Sequence, residues 1–395
     1  MEKPAAAAPA IDAKVGISGY STIFPGTGGR IRERHEDFEV SEVLTDAALN
    51  KIGSGGYAVY ILKKRGMDTS HALRRAAKAG LRLKALGLKD AAAVTEQYVC
   101  SMRKGPAKAW SSGTISLSHA GYVERPLSGK DMAGNRFSIR ITGTHGDASE
   151  FDGYNSIPNH YGYQRFGSAR PVSHLIGRAI VKGDFDWAVD LLLSHPSEYD
   201  STEKAELRRS LGDREKLAGK MGDIPPGMDL ERTAAAELVR HGDARRALAA
   251  LPSSMAGFFV QAYQSYIFNK TLSGTDELQP AEGDVCYTKG LLGRYSDGTG
   301  QYLAIPTVGY AYFRKTRFDG PVSGILKEEG VRPADFGVKE LPKAAAEGGF
   351  RQAVIGCSDA RSGPDRAEFT LSRGSYATMV MREIIKPSDP IASGF

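Results

Sequence analysis

Alternating apolar and polar positions predict strands in the first third of the chain. Apolar and polar residues largely alternate over 37–43 and over 135–141, as expected for strands with one buried face, and the run 57–62 predicts a further strand. A helical segment lies between these strands, without a regular repetition of strand and helix. This order favours a mixed α/β (α+β) fold whose sheet is largely antiparallel.

The helical segment begins at 68–70, where Asp-Thr-Ser is a typical N-terminal cap. A helix from this point has an apolar face and a charged face. The residues predicted to face inward are Leu73, Ala76 and Ala77. The residues predicted to face outward are the cations Arg74, Arg75 and Lys78.

The pattern becomes mostly helical after about residue 157. Helices are predicted over 175–181, 185–193, 233–251 and 257–272. Short strands and glycine turns are predicted over about 283–327, and strands again over 351–355 and 369–371. The pattern is compatible with two consecutive domains, or with one domain interrupted by an insertion.

Positive charge is concentrated in one stretch of the chain. The whole protein of 395 residues carries a formal charge of +6, but residues 61–108 hold twelve Lys or Arg against three acids, a net +9. A local excess larger than that of the whole chain is typical of a surface that binds phosphates. A solvated helix face is the alternative, and we favour a nucleic-acid partner.

Cysteine usage and hydropathy point to a cytoplasmic protein. The three cysteines lie far apart, which predicts neither a disulfide framework nor a metal site. No apolar run approaches the roughly 20 residues of a membrane span, so we expect no membrane partner. The alanine-rich N-terminus is too weakly hydrophobic for a signal peptide, and a flexible tail is predicted over residues 1–28.

The run from Gly87 to Gln97 carries the strongest candidate chemistry. An apolar stretch ends in a glycine turn, an aspartate follows directly after Lys89, and a strand is predicted from about residue 93. An aspartate on the rim of such a turn, beside a lysine, can be an exposed carboxylate in a positive field. Most aspartates in turns only cap the backbone, and this is the alternative for Asp90.

This run resembles the catalytic signature GxKDxxAxTxQ of the TruD family of tRNA pseudouridine synthases, in its archaeal type. Further stretches resemble the family's motifs DFxVxE, NxF, PNYFGxQRFG, QAYQSxxFN and FxLPxGSYATxxxRE. They lie at 37–42, 135–137, 158–167, 261–269 and 369–383. His160-Tyr161 replaces the usual Tyr-Phe, and Ser372-Arg373 stands where Pro-Ala is common. The resemblance covers about residues 30–386.

The resemblance implies a pseudouridine-synthase catalytic domain split in sequence. Its two parts are expected at 29–156 and 346–395, separated by an inserted, mostly helical α/β TRUD domain at 157–345. The implied reaction converts uridine to pseudouridine in tRNA, at uridine 13 of the D-arm. This isomerisation has no redox change and no donor group, so neither a cofactor nor a metal is expected.

The family's functional residues map onto matching positions of this chain. Asp90 is the implied catalytic carboxylate, which either attacks C1′ or removes the C2′ proton. Arg32 is the first candidate for its cationic partner, and Lys89 is the second. The residues implied around the flipped nucleoside are Phe38, Asn135, Phe137 and Tyr376. For Arg32 the alternative is a surface arginine, and for Phe137 it is a core position.

Two other function classes stay open from the sequence. An RNA base methyltransferase also flips bases, but it needs a glycine loop for S-adenosylmethionine after a first strand, which the sequence does not have. A non-catalytic RNA-binding protein would use the same basic surface, with Asp90 only capping a turn. The cations Arg74, Arg75 and Lys78 are predicted to contact the RNA backbone in each case.

Overall fold

The structure is a computed structural model that describes residues 7–288, 290–312 and 315–395. Its strands are β1 (Phe38–Leu44), β2 (Tyr57–Arg65), β3 (Leu83–Ala85), β4 (Val94–Ser101), β5 (Trp110–Ser112), β6 (Ile115–Val123), β7 (Met132–Arg140), β8 (Ser156–Pro158), β9 (Val285–Thr288), β10 (Leu291–Arg294), β11 (Gln301–Thr307), β12 (Gly349–Gln352), β13 (Val354–Ser362) and β14 (Arg366–Ser372). Its helices are α1 (Ala10–Lys14), α2 (Asp46–Leu49), α3 (Thr69–Lys78), α4 (Ser173–Val181), α5 (Phe185–Ser194), α6 (Thr202–Leu211), α7 (Leu217–Lys220), α8 (Asp229–His241), α9 (Ala244–Ala250), α10 (Met255–Ser273), α11 (Asp319–Glu329) and α12 (Ala377–Ile385).

The described chain forms two compact units, and both are discontinuous in sequence. The first unit contains Tyr20–Ile157 and Ile355–Gly394. The second contains Ala7–Gly19, Pro158–Val354 and residue 395. The predicted boundaries at 156/157 and 345/346 stay a prediction, because compactness alone does not assign a role to either unit.

The first unit is organised around one large sheet. Its strand order is β5-β6-β2-β4-β1-β7-β14-β13-β8, and β3 pairs with β4 off this path. β1 pairs with β4 in parallel, whereas β1–β7, β2–β4, β2–β6 and β14–β7 are antiparallel. The predicted fold class, a mixed and largely antiparallel α/β arrangement, is therefore confirmed.

Strand β7 joins segments from the two ends of the chain. It pairs with β1 on one side and with β14, from the C-terminal segment, on the other. A Cβ atom at Gly134 would lie 2.0 Å from the Leu371 carbonyl oxygen, so β14 can approach this closely only at a glycine. The N-terminal and C-terminal segments of the first unit therefore share one sheet.

Helix α3 packs on the sheet as its cap predicts, with one difference in its inner face. The Asp68 carboxylate accepts a hydrogen bond from the His71 N–H, which fixes the N-terminus. Ala72 and Ala76 are buried against a cluster that contains Tyr60 and Leu62, while Leu73 is half-buried. Ala77, predicted to face inward, is exposed. The outward cations Arg74, Arg75 and Lys78 are exposed, as predicted.

The second unit is mostly helical and includes the four-strand order β10-β9-β11-β12 among its described residues. Helices α4, α5 and α10 match three predicted segments closely. The single helix predicted over 233–251 is wrong. Gly242 adopts a left-handed conformation with φ of 65°, which ends α8, and the Asp243 side chain then caps α9.

Two helices of the structure lie outside the predicted helical segments. α12 is buried along its whole length, and its charged residues Arg382 and Glu383 form an ion pair of 2.8 Å inside the protein. α11 contains one proline and two glycines, residues of low helix propensity, and burial of Val322, Ile325 and Leu326 holds it. The strand-like interpretation of 319–327 is therefore wrong.

The structure also differs from the predicted flexible tail. Residues 1–6 lie outside the described part, but α1 belongs to the second unit, where Ile11 and Val15 are buried. The buried Asp12 carboxylate accepts a hydrogen bond of 2.6 Å from the Tyr163 hydroxyl. The Asn269 side-chain amide donates to the Val15 carbonyl at 3.0 Å. These contacts order a segment whose composition alone suggests disorder.

Candidate active site

The candidate site is built on a loop of residues 86–93 between β3 and β4. Polar side chains from neighbouring elements hold the backbone of this loop. The Gln97 amide donates to the Gly87 carbonyl at 2.9 Å, and the Lys89 N–H donates to the Thr69 hydroxyl at 2.9 Å. Thr69 in turn donates to the Gln97 side-chain oxygen at 2.8 Å. The loop is therefore positioned through its main chain, which leaves the Asp90 side chain outside these anchoring bonds.

Lys64 lies beneath the loop, although its place in the basic stretch predicts an exposed cation. Its side chain is buried, with an overall residue exposure of 0%, and its ammonium donates to the carbonyls of Met67 at 2.7 Å and Asp90 at 2.9 Å. Burial lowers the pKa of Lys64 from 10.5 to about 8, although the nearby Asp90 charge opposes that shift. Lys64 belongs to the basic stretch 61–108, but it has no access to an RNA backbone.

The alternation of buried and exposed residues in β2 is the sequence signal that Lys64 is buried. Tyr60, Leu62 and Lys64 alternate with the more exposed residues 61, 63 and 65, and the first two line the core below α3. A lysine that continues the buried face of a strand needs acceptors inside the protein. The sequence alone does not show that these acceptors belong to the loop of Asp90.

Lys89 forms a buried ion pair with Glu42. Its ammonium lies 2.8 Å from Glu42 Oε1, and the two side chains are almost fully buried. The other carboxylate oxygen accepts from the Tyr98 N–H at 2.9 Å. The structure thus places Lys89 against Glu42, and the pair ties the loop to β1.

Arg32 is the residue that forms an ion pair with Asp90. Its guanidinium Nη2 lies 3.5 Å from Asp90 Oδ2, and the two side chains are 10% and 52% exposed. Burial lowers the pKa of Arg32, while the Asp90 charge opposes that shift, and an arginine stays cationic at neutral pH. Arg32 is therefore largely buried, unlike an ordinary surface arginine.

Two contacts hold the guanidinium of Arg32, and its backbone has an uncommon conformation. Its guanidinium carbon lies 4.1 Å from the ring centre of Phe38, a cation–π geometry, and Nη1 donates to the Gly394 carbonyl at 3.2 Å. Its backbone adopts a φ of 61°, which is uncommon for a residue with a side chain. Among the described residues, Arg32 Nε is buried without a hydrogen-bond acceptor.

Aromatic rings continue the site across the sheet. Register pairs Val40 of β1 with Phe137 of β7, and Phe137 with Phe369 of β14, so these side chains share one face. The Phe38 and Phe137 ring centres are 6.2 Å apart in an edge-on arrangement, and those of Phe137 and Phe369 are 5.6 Å apart. Lys64 lies in the same row, because it pairs with Thr95, which pairs with Val40.

Asn135 lies on the same face of β7 as Phe137, one side-chain period away. Its register partners are Glu42 on β1 and Leu371 on β14. Within the described part of the chain, Asn135 Oδ1 is buried and has no hydrogen-bond donor. Tyr376 is half-buried and occupies the N-terminal cap position of α12 in the same unit.

The basic stretch separates into engaged cations and exposed ones. Lys63 pairs with Glu96 at 2.8 Å and Arg65 with Glu36 at 2.5 Å, while Lys64 and Lys89 are buried. The cations that are exposed and have no ion pair among the described residues are Arg74, Arg75, Lys78, Arg82, Lys84, Arg103, Lys104 and Lys108. This smaller set is the part of the stretch that phosphates can reach.

Other features of the described residues bear on the expected partners. No helix in the described ranges is long and apolar enough to cross a membrane. No three His, Cys, Asp or Glu side chains of these residues are grouped so that they could hold a metal ion. Burial raises the pKa of the Cys357 thiol to about 11, which keeps that thiol protonated at neutral pH.

Comparisons with known proteins agree with this architecture. A model of the tRNA pseudouridine synthase D (TruD) family matches residues 14–384. The probable tRNA pseudouridine synthase D of Pyrobaculum islandicum is 33% identical, with 98% of this chain and 99% of that protein covered. The protein of the same name from Methanopyrus kandleri is 33% identical, with 90% and 93% covered.

A solved structure shares the fold over the same length. The crystal structure of the putative tRNA pseudouridine synthase D (TruD) from Methanosarcina mazei gives a TM-score of 0.78 at 27% identity, covering 97% of this chain and 99% of that one. The family match spans nearly the whole chain, and its relatives are similar over nearly their whole lengths. The chain therefore belongs to the TruD family of tRNA pseudouridine synthases.

Proposed function

We propose that this protein converts uridine 13 in the D-arm of tRNA to pseudouridine, with Asp90 as the catalytic carboxylate. Membership of the family supports the reaction class. The observation that carries the residue assignment is the Arg32–Asp90 ion pair at 3.5 Å, on the face of the sheet that holds the aromatic rings. The carboxylate is half-exposed, so a nucleoside can reach it.

The reaction needs one carboxylate next to the ribose and a pocket that retains the detached base. The C1′–N1 bond breaks, the uracil rotates, and C5 bonds to C1′ while the C5 hydrogen leaves as a proton and N1 gains one. Asp90 either attacks C1′ to form a covalent intermediate or removes the C2′ proton to give a glycal. Arg32 orients the carboxylate for either route, since its guanidinium is held by Phe38 and Gly394.

The pocket for the flipped uridine is proposed around β1 and β7. Phe38 and Phe137 are 2% and 7% exposed, as core positions are, so they would form the apolar floor of this pocket next to Arg32. Tyr376 is assigned to the same pocket by its match to the family motif. Asn135 Oδ1, which lacks a donor within the described residues, is available to the uracil N3–H. Lys89 supports the pocket through Glu42, behind the loop that carries Asp90.

Phosphate contacts are proposed on the exposed face of α3. Arg74, Arg75 and Lys78 are exposed there and have no ion pair among the described residues, so an RNA backbone can bind them without displacing an acid. Flipping a base costs stacking energy, and backbone contacts of this kind hold the surrounding RNA in place.

We also propose the domain roles and the location that the family match suggests. The catalytic domain is assigned to 29–156 and 346–395, and the inserted TRUD domain to 157–345. The two compact units, which change at 157/158 and 354/355, support a boundary near each of these positions. A role in tRNA modification also favours a cytoplasmic location.

Tritium release tests the function directly. A tRNA transcript labelled with 5-³H-uridine is incubated with the protein alone, and a transcript with uridine 13 changed to cytidine is the position control. We expect tritium release from the first transcript. In the second transcript the release should be lower by the amount that the label at position 13 contributes. Release that requires S-adenosylmethionine would indicate a methyltransferase, and binding without release would indicate a non-catalytic RNA-binding protein.

A further inference from the structure

Leu88 lies two residues before Asp90 and points into solvent. Its exposure is 78%, whereas Lys89, between the two, is buried in its ion pair with Glu42. The next two exposed residues, Ala91 and Ala92, are small. Leu88 is therefore the bulky apolar side chain on the exposed rim of this loop.

Hydrogen bonds hold the loop backbone on both sides of Leu88. The backbone is held on the N-terminal side by Gln97, which donates to the Gly87 carbonyl at 2.9 Å. On the C-terminal side it is held by Thr69, which accepts from the Lys89 N–H at 2.9 Å, and by Lys64, which donates to the Asp90 carbonyl at 2.9 Å. These anchors fix the spacing between Leu88 and the carboxylate.

Exposure alone does not indicate a role, because single exposed leucines are common on protein surfaces. Leu291 on β10 is 76% exposed and is such a residue. Leu88 differs because its position is fixed relative to Asp90. Two residues of extended chain span at most about 7 Å, so Leu88 reaches no farther than the nucleotides next to the one that Asp90 contacts.

We propose that Leu88 is an apolar wedge that enters the RNA stack where the target uridine has been flipped out. The inference rests on the proposed function, because it assumes a flipped uridine at Asp90. A flipped base leaves neighbouring bases partly unstacked, and an apolar side chain inserted between bases stabilises such a gap. Leu88 therefore acts on the flipped state of the RNA and takes no part in bond breaking.

The experiment compares two RNAs and four proteins. The RNAs are a folded tRNA and a short single-stranded oligonucleotide with the same sequence around the target, both labelled with 5-³H-uridine. The proteins are the wild type, Leu88→Ala, Leu88→Met and the matched surface control Leu291→Ala. A second folded tRNA carries 2-aminopurine beside the target uridine, and its fluorescence rises when the stack opens.

We expect Leu88→Ala to lower kcat/KM about tenfold or more on folded tRNA, and less than about threefold on the oligonucleotide, where little stacking must be broken. It should also reduce the 2-aminopurine signal. Leu88→Met and Leu291→Ala should stay within about twofold of the wild type, because Leu88→Met keeps an apolar side chain of similar size and Leu291→Ala leaves the loop unchanged.

An equal loss on both RNAs, or no loss on folded tRNA, would overturn the wedge. The wedge would also be overturned if Leu88→Ala raised the 2-aminopurine fluorescence as much as the wild type does. This result decides the question even if the oligonucleotide proves a poor substrate. Failure of the proposed function has a different signature, because the wild-type protein would then release no tritium from either RNA.

Discussion

Replacing Lys64 with methionine separates the positioning of Asp90 from RNA binding. Methionine keeps the unbranched shape of the side chain but removes the ammonium that donates to the carbonyls of Met67 and Asp90. Because residue 64 is fully buried, the change cannot remove a phosphate contact. We expect tRNA affinity and its salt dependence to stay as in the wild type.

The expected effect on turnover follows from the loss of these anchors. Gln97 and Thr69 still hold the loop at Gly87 and Lys89, but the Asp90 carbonyl loses its donor at 2.9 Å. A displacement of about 1 Å at a reacting group can cost roughly 100-fold in rate. We therefore expect Lys64→Met to lower kcat by about 10- to 100-fold, with KM little changed.

The same substitution has a predictable effect on stability as pH changes. The pKa of Lys64 falls from 10.5 to about 8 on folding, so keeping it charged inside the protein costs about 3 kcal/mol at neutral pH. Between pH 8 and 10.5 the folded protein has released this proton while the unfolded chain still holds it. The unfolded state then binds more protons, so Lys64 makes stability rise with pH in this window.

Methionine cannot titrate, so the variant lacks this contribution. The melting temperature of the wild type minus that of Lys64→Met should therefore be larger at pH 9.5 than at pH 7. Its adjacent control is Lys63→Met, which loses only the exposed ion pair with Glu96. An unchanged kcat in folded Lys64→Met, or an equal loss of kcat in Lys63→Met, would refute the positioning role.

Three further predictions address the other parts of the proposal. Asp90→Asn should lower tritium release by about 1,000-fold or more while tRNA affinity persists, because only the charge is removed. Changing Arg74, Arg75 and Lys78 to glutamine should reduce the slope of log affinity against log salt by about 0.7 to 0.9 for each phosphate that the protein no longer neutralises, as measured by filter binding. Truncation after residue 345 should prevent the N-terminal part from folding, since β7 would lose β14; circular dichroism and gel filtration check this outcome.

Each of these has a distinct contradicting result. Pseudouridine formed by pure Asp90→Asn would remove this residue from the chemistry. An unchanged slope of log affinity against log salt would show that the α3 cations only face solvent and bind no phosphate. A monomeric fragment of residues 1–345 in which residues 20–157 are protected from hydrogen exchange would show that the first unit does not depend on its C-terminal strands.

The sequence predicts those parts of the fold that have a local signal. β1, β2 and β7 follow the distribution of apolar residues, and α3 follows the cap at Asp68. The break at Gly242 is not predicted because one glycine within a helical pattern is compatible with either continuation or termination. Helix α12 lies outside the predicted helices, and it is buried along its whole length, including the ion-paired Arg382 and Glu383.

For the site, the sequence singles out individual residues but not their partners. Arg32 and Lys89 are both plausible cations for Asp90, and only the three-dimensional arrangement pairs Arg32 with Asp90 and Lys89 with Glu42. The burial of Lys64 depends on carbonyls that lie three to twenty-six residues away in sequence. Contacts of this kind arise when strands assemble, and no local pattern encodes them.

The arrangement beneath the loop explains how an exposed carboxylate can be held accurately. An exposed aspartate has few packing contacts, so its position must come from the backbone that carries it. Here Thr69, Gln97 and Lys64 fix that backbone by hydrogen bonds to main-chain atoms, and Glu42 fixes it through Lys89. Since these groups lie on the buried side of the loop, substituting them should lower turnover more than tRNA affinity. The exposed cations Arg74, Arg75 and Lys78 of α3 should show the opposite, because their side chains point away from the buried face of α3 that carries Thr69.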